Sequence, residues 1–100
     1  MNKIPRLSNK ETIILKMLIN NPKSLYGLEM VKMSEGLLKT GTIYVTLNRM
    51  EEKGYISSKK EDKNHRIRGV TRRIYKPTGL GEKTYSFLEI FQSQWDGVSI

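Results

Sequence analysis

An α+β fold that is mainly α, with three helices, a two-stranded hairpin and a last long helix, is predicted by three observations. Apolar residues recur at helical spacing in three successive segments before Gly54. The period then turns extended over residues 55–60 and 70–77, on either side of a polar connection. Between Lys59 and Lys76 the chain carries eight Lys or Arg against Glu61 and Asp62, a local +6 that leaves only +2 of the total +8 for the other 82 residues. Charge focused in this way points to a polyanionic partner, with nucleic acid the leading class.

The elements follow in order. Residues 1–7 read as a solvated arm in which Lys3 and Arg6 can reach a phosphate. Ser8-Asn9-Lys10-Glu11 has the capping-box pattern and predicts a helix from Asn9 to Asn20, stopped by Asn21-Pro22. That helix carries two apolar stripes, Ile13, Ile14, Met17 and Leu18 on one side and Leu15 with Ile19 on another, so a further element or a second chain is needed to cover it. A second helix is expected over 25–36, capped by Ser24 and ended by Gly36, with Leu28 and Val31 facing one way and Tyr26, Met30 and Met33 another.

The third helix is expected over 40–54, from a Thr40 cap to Gly54 in the left-handed conformation. Ile43, Leu47 and Met50 make its core face, and Thr42, Thr46 and Arg49 are read as its donor-rich outer face. Taken alone, the segment is either an ordinary amphipathic helix with a solvated face or a helix made for a nucleic-acid groove. Two short strands then flank a connection over 61–69 containing Lys63, His65, Arg66 and Arg68, with Arg72 and Arg73 on the second strand. Thr78 caps a final helix over 79–95 whose first turn is weakened by Gly79 and Gly81. Its apolar residues Leu80, Phe87, Leu88, Phe91 and Trp95, flanked by Tyr85 and Ile90, exceed what one small chain can bury, and residues 97–100 read as a loose end.

One hundred residues make one compact unit: 8–77 as the helix–hairpin body and 78–95 as a C-terminal helix for dimerisation. With no cysteine, disulfides and thiolate metal sites are excluded, and His65, the sole histidine, is not expected to hold a metal. No apolar run spans a bilayer and no signal-peptide core follows the N-terminus, so a cytoplasmic protein without membrane contact is expected. Glu51 and Glu52 are adjacent, about 100° apart on a helix, and no acid–base, metal or phosphate-loop site assembles around them. Neither enzyme activity nor a cofactor is expected.

Helix, helix, helix, strand, basic loop, strand, helix is the order of a winged helix-turn-helix domain. The residues also resemble the PadR-like family of transcriptional regulators. Tyr26-Gly27-Leu28-Glu29-Met30 is similar to the family's Tyr-Gly-Tyr-Glu-Ile segment. Gly41-Thr42-Ile43-Tyr44, with Leu47, Arg49, Met50, Glu51, Gly54 and Ile56, resembles its Gly-Thr-Leu-Tyr and Leu-x-Arg-Leu-Glu-x-x-Gly-Leu-Ile signature. Arg72-Arg73-Ile74-Tyr75-Lys76-Pro77-Thr78 with Gly81 resembles its Arg-Lys-Tyr-Tyr-x-Leu-Thr-x-x-Gly ending. Pro77 stands for the usual Leu and should end strand pairing, Val45 stands for the usual Pro, and the connection over 61–71 lacks the family's glycine-rich tip.

The resemblance implies a homodimeric repressor of transcription on double-stranded DNA, its last helix packed on the partner's first. Thr40, Thr42, Thr46 and Arg49 would then meet base edges or phosphates, and Tyr44 is either a phosphate donor or a half-buried ring packed on the wing. Tyr26 and Gly27 would offer N–H groups to a phosphate. Lys63, His65, Arg66, Arg68, Arg72 and Arg73 would line the wing's contact, although strand alternation sends some of them to the other face. Leu15, Ile19, Phe87, Leu88, Phe91 and Trp95 would make the dimer interface. Trp95 is read as a packing anchor, or, as in some relatives, a platform for a flat aromatic ligand. A winged-helix module that binds protein instead of DNA is the competing reading.

Overall fold

The computed structural model describes residues 7–61 and 72–98, with side chains as far as Ile90. Four helices, α1 (Asn9–Asn20), α2 (Gly27–Met33), α3 (Ile43–Glu52) and α4 (Gly79–Val98), surround a small sheet of β1 (Leu25–Tyr26), β2 (Ile56–Glu61) and β3 (Arg72–Pro77). The sheet order is β1-β3-β2, antiparallel throughout.

Helix α1 has the expected bounds and cap. The Glu11 N–H donates to Ser8 Oγ at 3.1 Å and the Ser8 N–H donates to Glu11 Oε1 at 2.9 Å. The same carboxylate also receives Lys53 Nζ at 3.1 Å, which ties the start of α1 to the turn after α3. Glu11 is thereby buried with its charge matched.

The second helix begins later than expected, and Ser24 does not cap it. Leu25 and Tyr26 instead pair with Tyr75 and Ile74 as a third strand, a contact with a residue about fifty positions away that local periodicity does not encode. Helix α2 starts at Gly27, where the Tyr26 N–H donates to Glu29 Oε1 at 2.7 Å. It ends at Met33, and the turn beyond it uses left-handed backbone at Glu35 and Gly36 (φ 52° and 96°). Leu28 is 53% exposed and Met33 is also exposed, so this helix is covered on one side, with Met30 in the core and Val31 packed against it. The third helix likewise starts late. Thr40 lies in a turn closed by the Thr42 and Ile43 N–H groups on the Lys39 carbonyl at 3.2 and 3.0 Å, not at a cap. Gly54 ends the segment at φ 86°, as expected.

Strand β3 pairs with β2 from Glu61↔Arg72 to Ile56↔Pro77, so pairing stops at the proline. The root of α4 is built around Thr78. Its hydroxyl donates to the Gly54 carbonyl at 2.6 Å and accepts from the Gly81 N–H at 3.0 Å, while the Thr78 N–H donates to the Tyr55 carbonyl at 3.1 Å. Gly81 is not a mere weak helix former. A Cβ there would lie 2.0 Å from the Tyr55 oxygen and 3.3 Å from Leu15 Cδ1, so its missing side chain is what lets α4 close on α1.

That closure corrects one expectation about the dimer surface. Leu15 is fully buried within the chain, under α4, and belongs to the core with Ile14, Leu18, Leu25, Met30, Leu38, Ile43, Leu47, Met50, Ile56 and Tyr75. Ile19 is partly buried beside them, and Leu88 is intermediate. Leu80, Phe87 and Ile90 remain exposed on α4. The side chains of Phe91 and Trp95 lie outside the described residues, as do Lys63, His65, Arg66 and Arg68 and the N-terminal arm. Gly97 and Val98, expected in a loose end, continue α4.

Tyr75 makes a testable link between the core and pH. Burial pushes its phenol above the ordinary value of 10.0, with Tyr44 and Glu51 nearby adding to the rise and Arg73 opposing it. A phenol kept neutral in the folded state stabilises the fold fully below the unfolded value and loses that contribution as pH rises through the higher folded value. Unfolding free energy is therefore expected to fall above about pH 10, the ordinary tyrosine value. Tyr26 and Tyr85 are raised too, so Tyr75→Phe should flatten the fall without abolishing it. Urea melts across that range check this, and an unchanged slope in the variant would remove Tyr75 from the explanation.

Candidate nucleic-acid interface

Helix α3 stands with Ile43, Leu47 and Met50 sunk in the core and the rest of its circumference outward. Thr42 and Arg49 are exposed as expected. Thr46 is only partly so, because the helix turns it toward the flank, where its hydroxyl donates to the Thr42 carbonyl at 3.2 Å. Asn48, and Val45, which the sequence reading treats only as standing for the usual Pro, are exposed on the outer side. The signal was present: residues two and five positions after Ile43 lie far from the Ile43–Leu47–Met50 direction on a helical wheel.

Beside α3 a cleft of about 760 Å³ opens between β1, α2, α3 and β3. Its walls are Tyr26, Leu28, Glu29 and Lys32 on one side, Tyr44 and Asn48 from α3, and Arg72, Arg73 and Tyr75 from β3. Three cations against one carboxylate make it an anion-favouring groove. The Tyr44 ring sits over Gly27, where a Cβ would be 2.8 Å from Tyr44 Cε1, and it lines the cleft with Arg73 and Tyr75. Gly27 is buried beneath the ring, and Tyr44 above it is 45% exposed.

Strand alternation separates the two β3 arginines. Arg73 donates from Nη1 to Ser58 Oγ at 2.8 Å, and Ser58 in turn donates to Glu51 Oε2 at 2.8 Å, so the guanidinium is moored beside α3. Arg72 leaves the strand on the opposite side from Arg73 and lines the cleft from the Tyr26 end, with its guanidinium 5.0 Å from the centroid of the Tyr26 ring. The Tyr26 hydroxyl donates to the Glu61 carboxylate, and this bond is the leading cause that raises the Tyr26 phenol above its ordinary value. Tyr26 thus braces the strand ends, while Arg73 and Tyr44 frame the groove next to α3. Among the described residues no helix is long and apolar enough to cross a membrane, and no three His, Cys, Asp or Glu come together as a metal site.

Solved structures share this fold. A PadR-like transcription factor from Bacteroides fragilis has a similar structure, with a TM-score of 0.72 and 22% identity over 87% of this chain and 82% of that one. A PadR family transcription regulator from Clostridium difficile is 33% identical, with a TM-score of 0.61, covering 87% of this chain and 86% of its own. A transcriptional regulator from Clostridium thermocellum is 29% identical, with a TM-score of 0.66, over 87% and 85%. No curated protein matches the sequence. The model of the transcriptional regulator PadR-like family matches residues 14–86. That span runs from α1 through α3 and both wing strands into α4, and the chain belongs to the PadR-like family of transcriptional regulators.

Proposed function

We propose that this regulator is a homodimer that binds a palindromic operator in double-stranded DNA and acts in the cytoplasm as a repressor, by occupying that site. The observation that carries the reading is the juxtaposition of an outward α3, bearing Asn48 and Arg49, with a groove framed by Tyr44 and Arg73. A helix of this kind fits the major groove, and the tyrosine and arginine beside it suit the flanking phosphates. The local +6 between Lys59 and Lys76 supports the same partner. Exposed Leu80, Phe87 and Ile90 on α4 support a twofold partner packed there.

The test is recovery of the DNA retained by a tagged copy in its own cell, followed by mobility shifts with the recovered fragment. A clear preference over random duplex at ~150 mM salt is expected. Equal affinity for both would refute a sequence-specific regulator and favour a protein-binding module.

Gly27 supplies a sharper probe. Gly27→Ala places a methyl against the end of the Tyr44 ring, which can swing, so stability should change by less than about 1 kcal/mol. The displaced hydroxyl loses its phosphate, and operator affinity should fall about tenfold, the equivalent of one hydrogen bond to a charged group. Titration calorimetry and a thermal melt on the same sample separate the two effects. Unaltered affinity would take Tyr44 out of the interface.

A further inference from the structure

The direction of each α3 side chain carries the reading of the interface one step further. Ile43, Leu47 and Met50 define the inward direction. At about 100° per residue, Val45 lies almost opposite that direction, and Asn48 and Arg49 flank it. Val45 is 54% exposed, a branched apolar side chain at the crest of a polar surface. Asn48 lines the groove together with Tyr44 and Arg73. No described residue engages its carboxamide, whereas the Thr46 hydroxyl is already occupied by the Thr42 carbonyl.

Elementary chemistry then sorts the bases. A carboxamide offers one acceptor and one donor side by side, which matches the N6 amino group and N7 of adenine; guanine presents two acceptors there and suits an arginine. A valine has only methyl groups to offer, and the one apolar feature of a base edge in the major groove is the thymine 5-methyl. We propose that Asn48 reads one adenine in each half-site, accepting from N6 and donating to N7, and that Val45 packs against the 5-methyl of a thymine in the same half-site. This assignment rests on the DNA-binding reading above.

The experiment begins with selection of preferred duplexes from a random pool by the wild-type protein. The preferred duplex is then rebuilt with 7-deazaadenine at each adenine, which removes N7, and with uracil at each thymine, which removes the methyl. One adenine per half-site should weaken wild-type binding about five- to a hundredfold when altered, and one thymine about fourfold, the worth of one methyl group. Asn48→Ala should be blind to the first change and Val45→Ala to the second, with both variants melting as the wild type does. If wild type selects preferred sites but Asn48→Ala loses affinity equally on every sequence, Asn48 is a phosphate contact and the assignment falls while the DNA-binding reading stands. If wild type selects no preferred site, both fall together.

Discussion

Gly81→Ala is expected to destabilise the fold by about 3 kcal/mol, the upper part of the range for overpacking a tight contact. The Cβ would come within 2.0 Å of a main-chain carbonyl oxygen, that of Tyr55, and a backbone oxygen cannot rotate away as a side chain can. The oxygen also accepts the Thr78 N–H, so relief requires α4 to lift from its own cap. Gly79 is the internal control. It has nothing within 4 Å of the same position, and Gly79→Ala should be neutral or gain about 0.5–1 kcal/mol through better helix propensity. Urea melts of the two variants give the comparison directly. Equal stabilities would show that α4 does not pack on Tyr55 as described.

The second large effect is on binding and concerns salt. A dimer that neutralises six or more phosphates should lose about a thousandfold in operator affinity between ~50 and ~200 mM salt, because each neutralised phosphate releases condensed counterions. Arg73 and its wing neighbours are numerous enough to supply that number from two chains. Arg73→Ala removes one cation from each chain and should reduce the slope of log affinity against log salt by about 2. Arg72→Ala should change it less, since that guanidinium is held over the Tyr26 ring. Binding measured by fluorescence anisotropy at four salt concentrations decides the matter. A slope near zero would mean that the basic strands do not face a polyanion at all.

How far the sequence reveals this molecule depends on the range of the interaction. The α1 cap was legible because Ser8 and Glu11 are three residues apart and complete each other. Gly54 was legible because a left-handed residue at a helix end is a local requirement. The family signature and the winged order were legible too, and the matched span and the structural relatives bear them out. Leu25 and Tyr26 misled, since their strand exists only through pairing with β3. Thr40 and Ser24 look like caps, yet the turn on the Lys39 carbonyl and the Glu29 carboxylate take those duties. Residue type also outweighed direction on α3: hydroxyl donors drew attention to Thr46, while Val45 and Asn48 hold the outer crest. Helix propensity marks Gly81 only as a weak point, whereas its role is the space left by a missing methyl, which depends on the distant Tyr55 carbonyl.

Thr78 joins two parts of the chain whose duties differ. Through the Gly54 and Tyr55 carbonyls it fastens the end of the α3 segment directly to the first turn of α4. In a twofold assembly made through α4, that junction acts as a rigid ruler. On the proposed twofold DNA-binding reading, this junction helps to set the separation of the two α3 helices, which would have to match about one turn of duplex, 34–36 Å. On that reading, an operator whose half-sites are moved apart by a few base pairs would rotate out of phase as well as out of reach of a body fastened in this way.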